Sequence, residues 1–189
     1  MPAILHFNTD FTPNEAGASL ATTASQTDYI QRFVALAAEN KGIDQYVFYK
    51  GAINWNDRWD VQYFLKRVLS SDGLSDQVES ALLQVFENEP GPVIALYAGT
   101  PELNPELVNE GFQILKQKDL VFSIDTFGSV NLVGMKCLPP HSEDSNIGIS
   151  LRDESRIRDL SRQLNWSFQK LGTNTAAKTL SSEEGEKAV

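Results

Sequence analysis

A chain of 189 residues that is 41% hydrophobic, with ten phenylalanines, can bury one substantial core and is not disordered throughout. Sixteen basic against 25 acidic residues leave a formal charge of −9, which argues against nucleic acid or an anionic membrane as partner, since both require a basic footprint. The single cysteine, Cys137, excludes an intrachain disulfide and a cysteine-based zinc site; with no leader-like start and no apolar run of membrane-spanning length, the expected compartment is the cytoplasm.

Ala3–Phe7 is a short apolar run and reads as a first strand. Asn8–Leu20 is polar and rich in turn formers, as expected of a loop at the carboxyl edge of a sheet, where ligands bind in α/β proteins. No Lys or Arg precedes Arg32, so a phosphate held there would depend on backbone N–H groups. Thr23–Asn40 is predicted helical, with Tyr29, Ile30, Phe33, Val34 and Ala37 on one face and Gly42 as a left-handed stop. Asp44–Lys50 is a strand by its aromatic and β-branched content.

Gly51–Asp60 reads as a loop or short helix carrying Trp55 and Trp59 four residues apart. The pair is either a hydrophobic cover for the sheet edge, the preferred reading, or a stacking surface for a base or sugar. Val61–Leu69 fits helix by spacing and strand by composition. Ser75–Phe86 is predicted helical, with Ser75 as cap and an apolar face of Leu74, Val78, Leu82, Val85 and Phe86. After the Glu89–Pro92 turn, Val93–Tyr97 is a buried strand. Asn104-Pro105-Glu106 then opens a helix with a capping side chain, a proline whose missing N–H costs nothing, and an acid at the positive end. Leu120–Ile124 and Val130–Met135 are strands flanking Asp125–Ser129, and Cys137 reads as a structural residue at the end of the second. Arg152–Phe168 has helical spacing at Ile157, Leu160, Leu164 and Phe168.

Alternating strands and helices predict a three-layer α/β/α fold on a mostly parallel mixed sheet. One domain over residues 1–170 and a flexible tail over 171–189 are expected, because the tail has no apolar period. Of the two histidines, His6 falls within a strand and reads as a satisfied core or edge residue. His141 lies in a loop near Glu143 and Asp144, where a solvated loop is the default and a metal site the alternative. Walker, Rossmann and Gly-x-Ser-x-Gly motifs are absent.

The central block resembles the glycosyltransferase-like family called radical-SAM/selenodomain-associated transferase 1, of the nucleotide-diphospho-sugar transferase (GT-A) fold. The matching positions are Pro101, Glu102, Leu103, Pro105, Glu106 and Leu107, then Asp119, Val121, Gly128, Leu132 and Gly134; upstream, Leu74 and Asp76 also correspond. The resemblance implies a nucleotide-sugar or nucleotide ligand. It also implies a carboxylate-bound metal ion that neutralises the departing diphosphate. Several positions depart from that pattern. Gly99 stands at the metal-binding aspartate, and Phe127 and Ser129 replace an acid and a glycine in the later turn. Val130-Asn131 replaces a tyrosine pair, Gln77 an arginine, and the Asp10–Leu20 loop lacks the family's basic residues.

Two functional readings follow. The first is a GT-A-like domain that has lost metal-dependent transfer, needs no cofactor, and serves binding or interaction. The second is an active transferase with Mg²⁺ or Mn²⁺, in which Glu102 and Asp125 are the candidate catalytic residues and Asp76 a further acid. Candidate substrate-binding residues are Asp72, Asp76, Trp55 and Trp59. A purely structural role, contacting another protein through Trp55 and Trp59, is a third reading, and a homodimer is the other partner weighed.

Overall fold

The computed structural model describes residues 1–7, 22–39, 42–69, 74–88, 91–97, 103–139, 151 and 153–172. Among these, seven strands and four helices alternate. They are β1 (Ala3–Phe7), α1 (Thr22–Glu39), β2 (Asp44–Lys50), β3 (Leu65–Leu69), α2 (Leu74–Asn88), β4 (Val93–Leu96), α3 (Pro105–Leu115), β5 (Leu120–Ile124), β6 (Val130–Met135), α4 (Glu154–Gln163) and β7 (Phe168–Lys170). The sheet order is β3-β2-β1-β4-β6-β5-β7, with β6 alone antiparallel to its neighbours. This is the mostly parallel mixed sheet that the alternation predicts.

The central strands β1 and β4 are buried along their whole length, which explains their continuous apolar runs. Successive side chains point to opposite faces. Leu5, Phe48, Ala95 and Phe122 pack on one face with Val78, Leu82 and Val85 of α2 and Ile157 and Leu160 of α4. Ile4, Val47, Ile94 and Val121 pack on the other with Tyr29, Ile30 and Phe33 of α1 and Leu107, Val108 and Phe112 of α3. α3 is built as its sequence suggests: Asn104 Oδ1 accepts from Leu107 N at 2.8 Å, and Pro105 occupies the first turn. Its close approach to the sheet depends on Gly134, where a Cβ would stand 2.7 Å from Val121 Cγ1 and 3.0 Å from Leu115 Cδ1.

No helix joins β2 to β3. The 51–64 segment covers the sheet itself, with Trp59 and Phe64 each only 2% exposed. A buried lysine pins it: Lys66 Nζ donates to Asp57 Oδ1 at 2.6 Å and to Asn54 O at 2.9 Å, while Tyr49 Oη donates to Asp57 Oδ2 at 2.5 Å. Each ion thus has its charge partner and further hydrogen bonds, the condition under which burying a charge is tolerated.

Several expectations are corrected. The helix read through Phe168 stops at Gln163, and Asn165 reverses the chain at φ 54, a conformation asparagine tolerates. Phe168–Lys170 then becomes β7, parallel to β5. Asp119 decides this: its Oδ2 accepts from Ser167 N at 2.8 Å and Oγ at 2.7 Å, bonds that hold its carboxyl below the usual range. The core also reaches past Lys170, because Leu171 is buried and its N–H donates to Phe122 O at 2.8 Å. α2 begins at Leu74, which puts Ser75 inside the helix instead of at its cap. Gly42 is not left-handed, since the described glycines at positive φ are Gly51 and Gly128. Cys137 is exposed just beyond β6 and has no structural packing role.

Candidate functional site

Six strands share one direction, so the carboxyl ends of β1, β2, β3, β4, β5 and β7 form one edge of the sheet. The strand order reverses between β1 and β4, and the crevice at such a switch point is where open α/β sheets receive ligands. Aromatic rings line this edge on one face: Phe7 stacks on Tyr97 (5.9 Å between centroids, 13° between planes) and lies 6.0 Å from Phe48.

On the opposite face His6, near the end of β1, is fully buried between α1 and the 51–64 segment. Gln45 Nε2 donates to Phe33 O at 3.0 Å, which turns Gln45 Oε1 toward His6 Nε2 at 2.9 Å. His6 Nε2 therefore carries the proton, and Nδ1 accepts from Tyr29 Oη at 2.9 Å. Rings of Phe33, Trp59 and Phe64 complete the enclosure at 4.8, 5.1 and 5.7 Å. Burial pushes the imidazole pKa down to about 3, against the raising effect of the Gln45 bond, and pushes the Tyr29 hydroxyl up. The sequence reading of His6 as a satisfied residue matches this geometry. Its partners were not legible, because they lie 23 and 39 residues away.

The tryptophans part company. Trp59 is a core residue, whereas Trp55 is 67% exposed, its ring 5.8 Å from Lys66 Nζ. They form neither the hydrophobic pair nor the two-ring stacking surface, because the segment has no regular helix to set both on one face.

Asp125 opens the β5–β6 turn. Its Oδ1 accepts from Phe127 N at 2.9 Å and Ser129 N at 2.8 Å, its own N–H donates to Ser129 O, and Gly128 stands at φ +86. Oδ2 has no partner among the described residues. Phe127 at the tip is 92% exposed. The bulge beside this turn leaves Asn131 between Ile124↔Val130 and Ser123↔Leu132, buried and bonded to Ser123 Oγ.

Glu102, Asp72, Gly99, His141, Glu143 and Asp144 lie outside the described residues, and Asp76 lies in the first turn of α2. The sheet order separates the strand ends that precede some of these acids in sequence. The ends of β4 and β5, which lead to Glu102 and Asp125, are two positions apart, about 10 Å; the end of β3, which leads to Asp72, is five positions from β5, about 24 Å. The described residues contain no group of three His, Cys, Asp or Glu side chains able to hold a metal ion. Of the candidate acids, Asp125 has one carboxylate oxygen committed to two amides of its own turn. No described helix is long and apolar enough to cross a membrane.

Comparison with known proteins gives a family and a fold. The profile of a family described as uncharacterized protein conserved in bacteria, DUF2064, matches residues 33–147. A protein from Desulfovibrio desulfuricans G20, provisionally described as a nucleotide-diphospho-sugar transferase, superposes with a TM-score of 0.68 at 16% identity, over 90% of this chain and 79% of that one. Rv0371c from Mycobacterium tuberculosis H37Rv superposes with a TM-score of 0.46 at 11% identity, over 90% and 85% of the two chains. No curated protein matches by sequence. The Desulfovibrio match gives the fold as that of the nucleotide-diphospho-sugar transferases, as the sequence resemblance implies.

Proposed function

We propose that this chain, which belongs to the DUF2064 family, binds a nucleotide or nucleotide-sugar at the β1–β4 crevice and does not carry out metal-dependent transfer. The nucleotide ligand is supported by the likeness to the Desulfovibrio protein and by the switch-point crevice. The residues that resemble the radical-SAM/selenodomain-associated transferase 1 pattern, among them Leu103, Pro105, Gly128 and Gly134, serve packing, capping and turn geometry. One observation carries the loss of transfer: the acid of the β5–β6 turn is tied to its own backbone, and an exposed Phe127 stands where the resemblance calls for a carboxylate. Fold and chemistry use different residues, so one persists without the other.

A second reading is favoured by the unengaged Asp125 Oδ2, two strand positions from β4. In it Asp125 and Glu102 hold Mg²⁺ or Mn²⁺ and the chain is an active transferase. Thermal melting with UDP-, GDP-, CDP- and dTDP-sugars, each with and without Mn²⁺, separates the two, because a ligand specific for the native state must raise its stability. The first reading expects stabilisation by at least one nucleotide-sugar, independent of Mn²⁺. A shift that requires Mn²⁺ and disappears in Asp125→Asn, which keeps an oxygen for the turn, would establish the second. No shift with any nucleotide would reject both, and together with a dimer in solution it would favour a protein contact through Trp55.

A further inference from the structure

We propose that the cavity at the amino edge of the sheet, beside the end of α3, binds a small monocarboxylate with an apolar body. The hydrocarbon lies against proline, isoleucine and phenylalanine, and the carboxylate meets Lys116 and Lys136. Pro2, Ile43 and Pro92 stand just before β1, β2 and β4, and Lys136 just after the antiparallel β6, so all four meet at this edge. The β1–β4 crevice is at the other end of the same strands, roughly 15 Å away. The site is therefore independent of the nucleotide reading, and either can fail while the other stands.

The cavity is about 490 Å³, the size of a small-molecule site. Phe112 and Leu115 of α3 line it with buried side chains, and Pro2, Ile43 and Pro92 are half-buried around it. The two prolines have no N–H, and their carbonyls already accept: Asp44 N donates to Pro2 O at 3.1 Å, and Ala3 N to Pro92 O at 3.0 Å. These walls call for no hydrogen bonds from a ligand, which suits hydrocarbon.

The charged residues of the lining are both lysines. Lys116 Nζ donates to Gln113 Oε1 at 2.6 Å, a neutral partner that leaves the charge uncompensated. Lys136 Nζ lies 3.9 Å from Asp119 Oδ1, a loose pair with both side chains more than a third exposed. Asp119 is not in the lining; its other oxygen is held by Ser167, and Lys118 acts on it as well. Asn109 and Gln113, both exposed, add carboxamide N–H donors. An ammonium only donates, and a carboxylate supplies both the acceptor and the opposite charge. The net charge of −9 repels polyanions at long range, which turns the site toward one charge on an apolar body and away from a nucleoside phosphate.

The test titrates the full chain with sodium octanoate at about 0.15 M salt, followed in ¹H–¹⁵N spectra, with 1-octanol and acetate as controls for the body and the charge alone. The amides of Ile43, Phe112, Leu115, Lys116 and Lys136 should move with octanoate, with a Kd of about 1 mM or tighter. Octanol should bind about fivefold more weakly or worse, and acetate should leave these amides in place. The double variant Lys116→Gln, Lys136→Gln should bind octanoate only as well as octanol and keep its octanol affinity, whereas Lys116→Arg, Lys136→Arg should bind octanoate like the parent. The proposal is overturned if octanoate moves none of these amides at ~5 mM, if octanol binds as tightly, or if the glutamine variant binds octanoate like the parent. Shifts confined to Phe7 and Tyr97 would place the ligand at the opposite edge and also overturn it. A glutamine variant that loses octanol as well would assign the lysines to packing of the walls, against the charge role.

Discussion

Acid should weaken this fold through His6 in a way that can be isolated. In the native state the imidazole is neutral, enclosed, and held near pKa 3; in the unfolded chain it titrates near the ordinary 6.5. Between these values the unfolded state binds a proton that the native state refuses. The His6 contribution is therefore complete above pH 6.5 and is lost as pH falls toward 3. From pH 7.5 to pH 5 the unfolded chain gains about 1.5 proton-logs, worth about 2 kcal/mol. For a chain of this length that is a fall in Tm of about 4–8 °C.

Carboxylates add their own pH dependence, so the informative quantity is a difference. Urea denaturation of the parent and His6→Gln at pH 7.5 and pH 5 cancels the groups common to both. His6→Gln should be less stable at pH 7.5, since it loses the fit among Phe33, Trp59 and Phe64, and this deficit should shrink by about 2 kcal/mol at pH 5. An unchanged deficit would mean that the native imidazole titrates normally, and the account of the buried, neutral His6 would be wrong.

Gly134→Ala should destabilise by about 1–3 kcal/mol, because the new Cβ meets β5 and α3 together; calorimetry that shows no loss would contradict the close packing. Asp57→Ala should cost about 3–5 kcal/mol and Lys66→Met distinctly less, since the first strands a buried ammonium only 1% exposed while the second leaves a carboxylate that can reach water. Equal losses in chemical denaturation would argue against that asymmetry. Asn104→Ala should lose about 1 kcal/mol by removing the bond to Leu107 N, and Asn104→Asp should restore most of it.

Local features were legible because they rest on local forces. The α3 start needed only Asn104 and Pro105 in order. β2 was bounded correctly at Asp44 and Lys50, and the strands around Asp125–Ser129 closed as the hairpin their runs suggested. Where local signals agreed with two structures, distant bonds chose. Leu164 and Phe168 keep helical spacing, but Ser167 is captured by Asp119, 48 residues earlier, and the chain turns into β7. Trp55 and Trp59 have the spacing of a helical pair, but Lys66 and Asp57 shape the segment as a loop that buries one and exposes the other. Lys66 gave no warning of burial, since a lysine at the second position of an edge strand usually faces water.

The site divides in the same way. The sequence by itself determined the alternation of strands and helices, the absence of a basic phosphate loop between Met1 and Gln31, and the replacement of an acid by Phe127, because these depend on residue identity. Only the tertiary structure decided which residues meet. It placed β4 beside β1 and so located the crevice; it set the strand ends leading to Asp72 and Asp125 about 24 Å apart; and it tied Asp125 Oδ1 to its own turn while leaving Oδ2 without a partner among the described residues. A carboxylate's availability depends on which donors surround it in space, and the order of residues along a chain does not specify that.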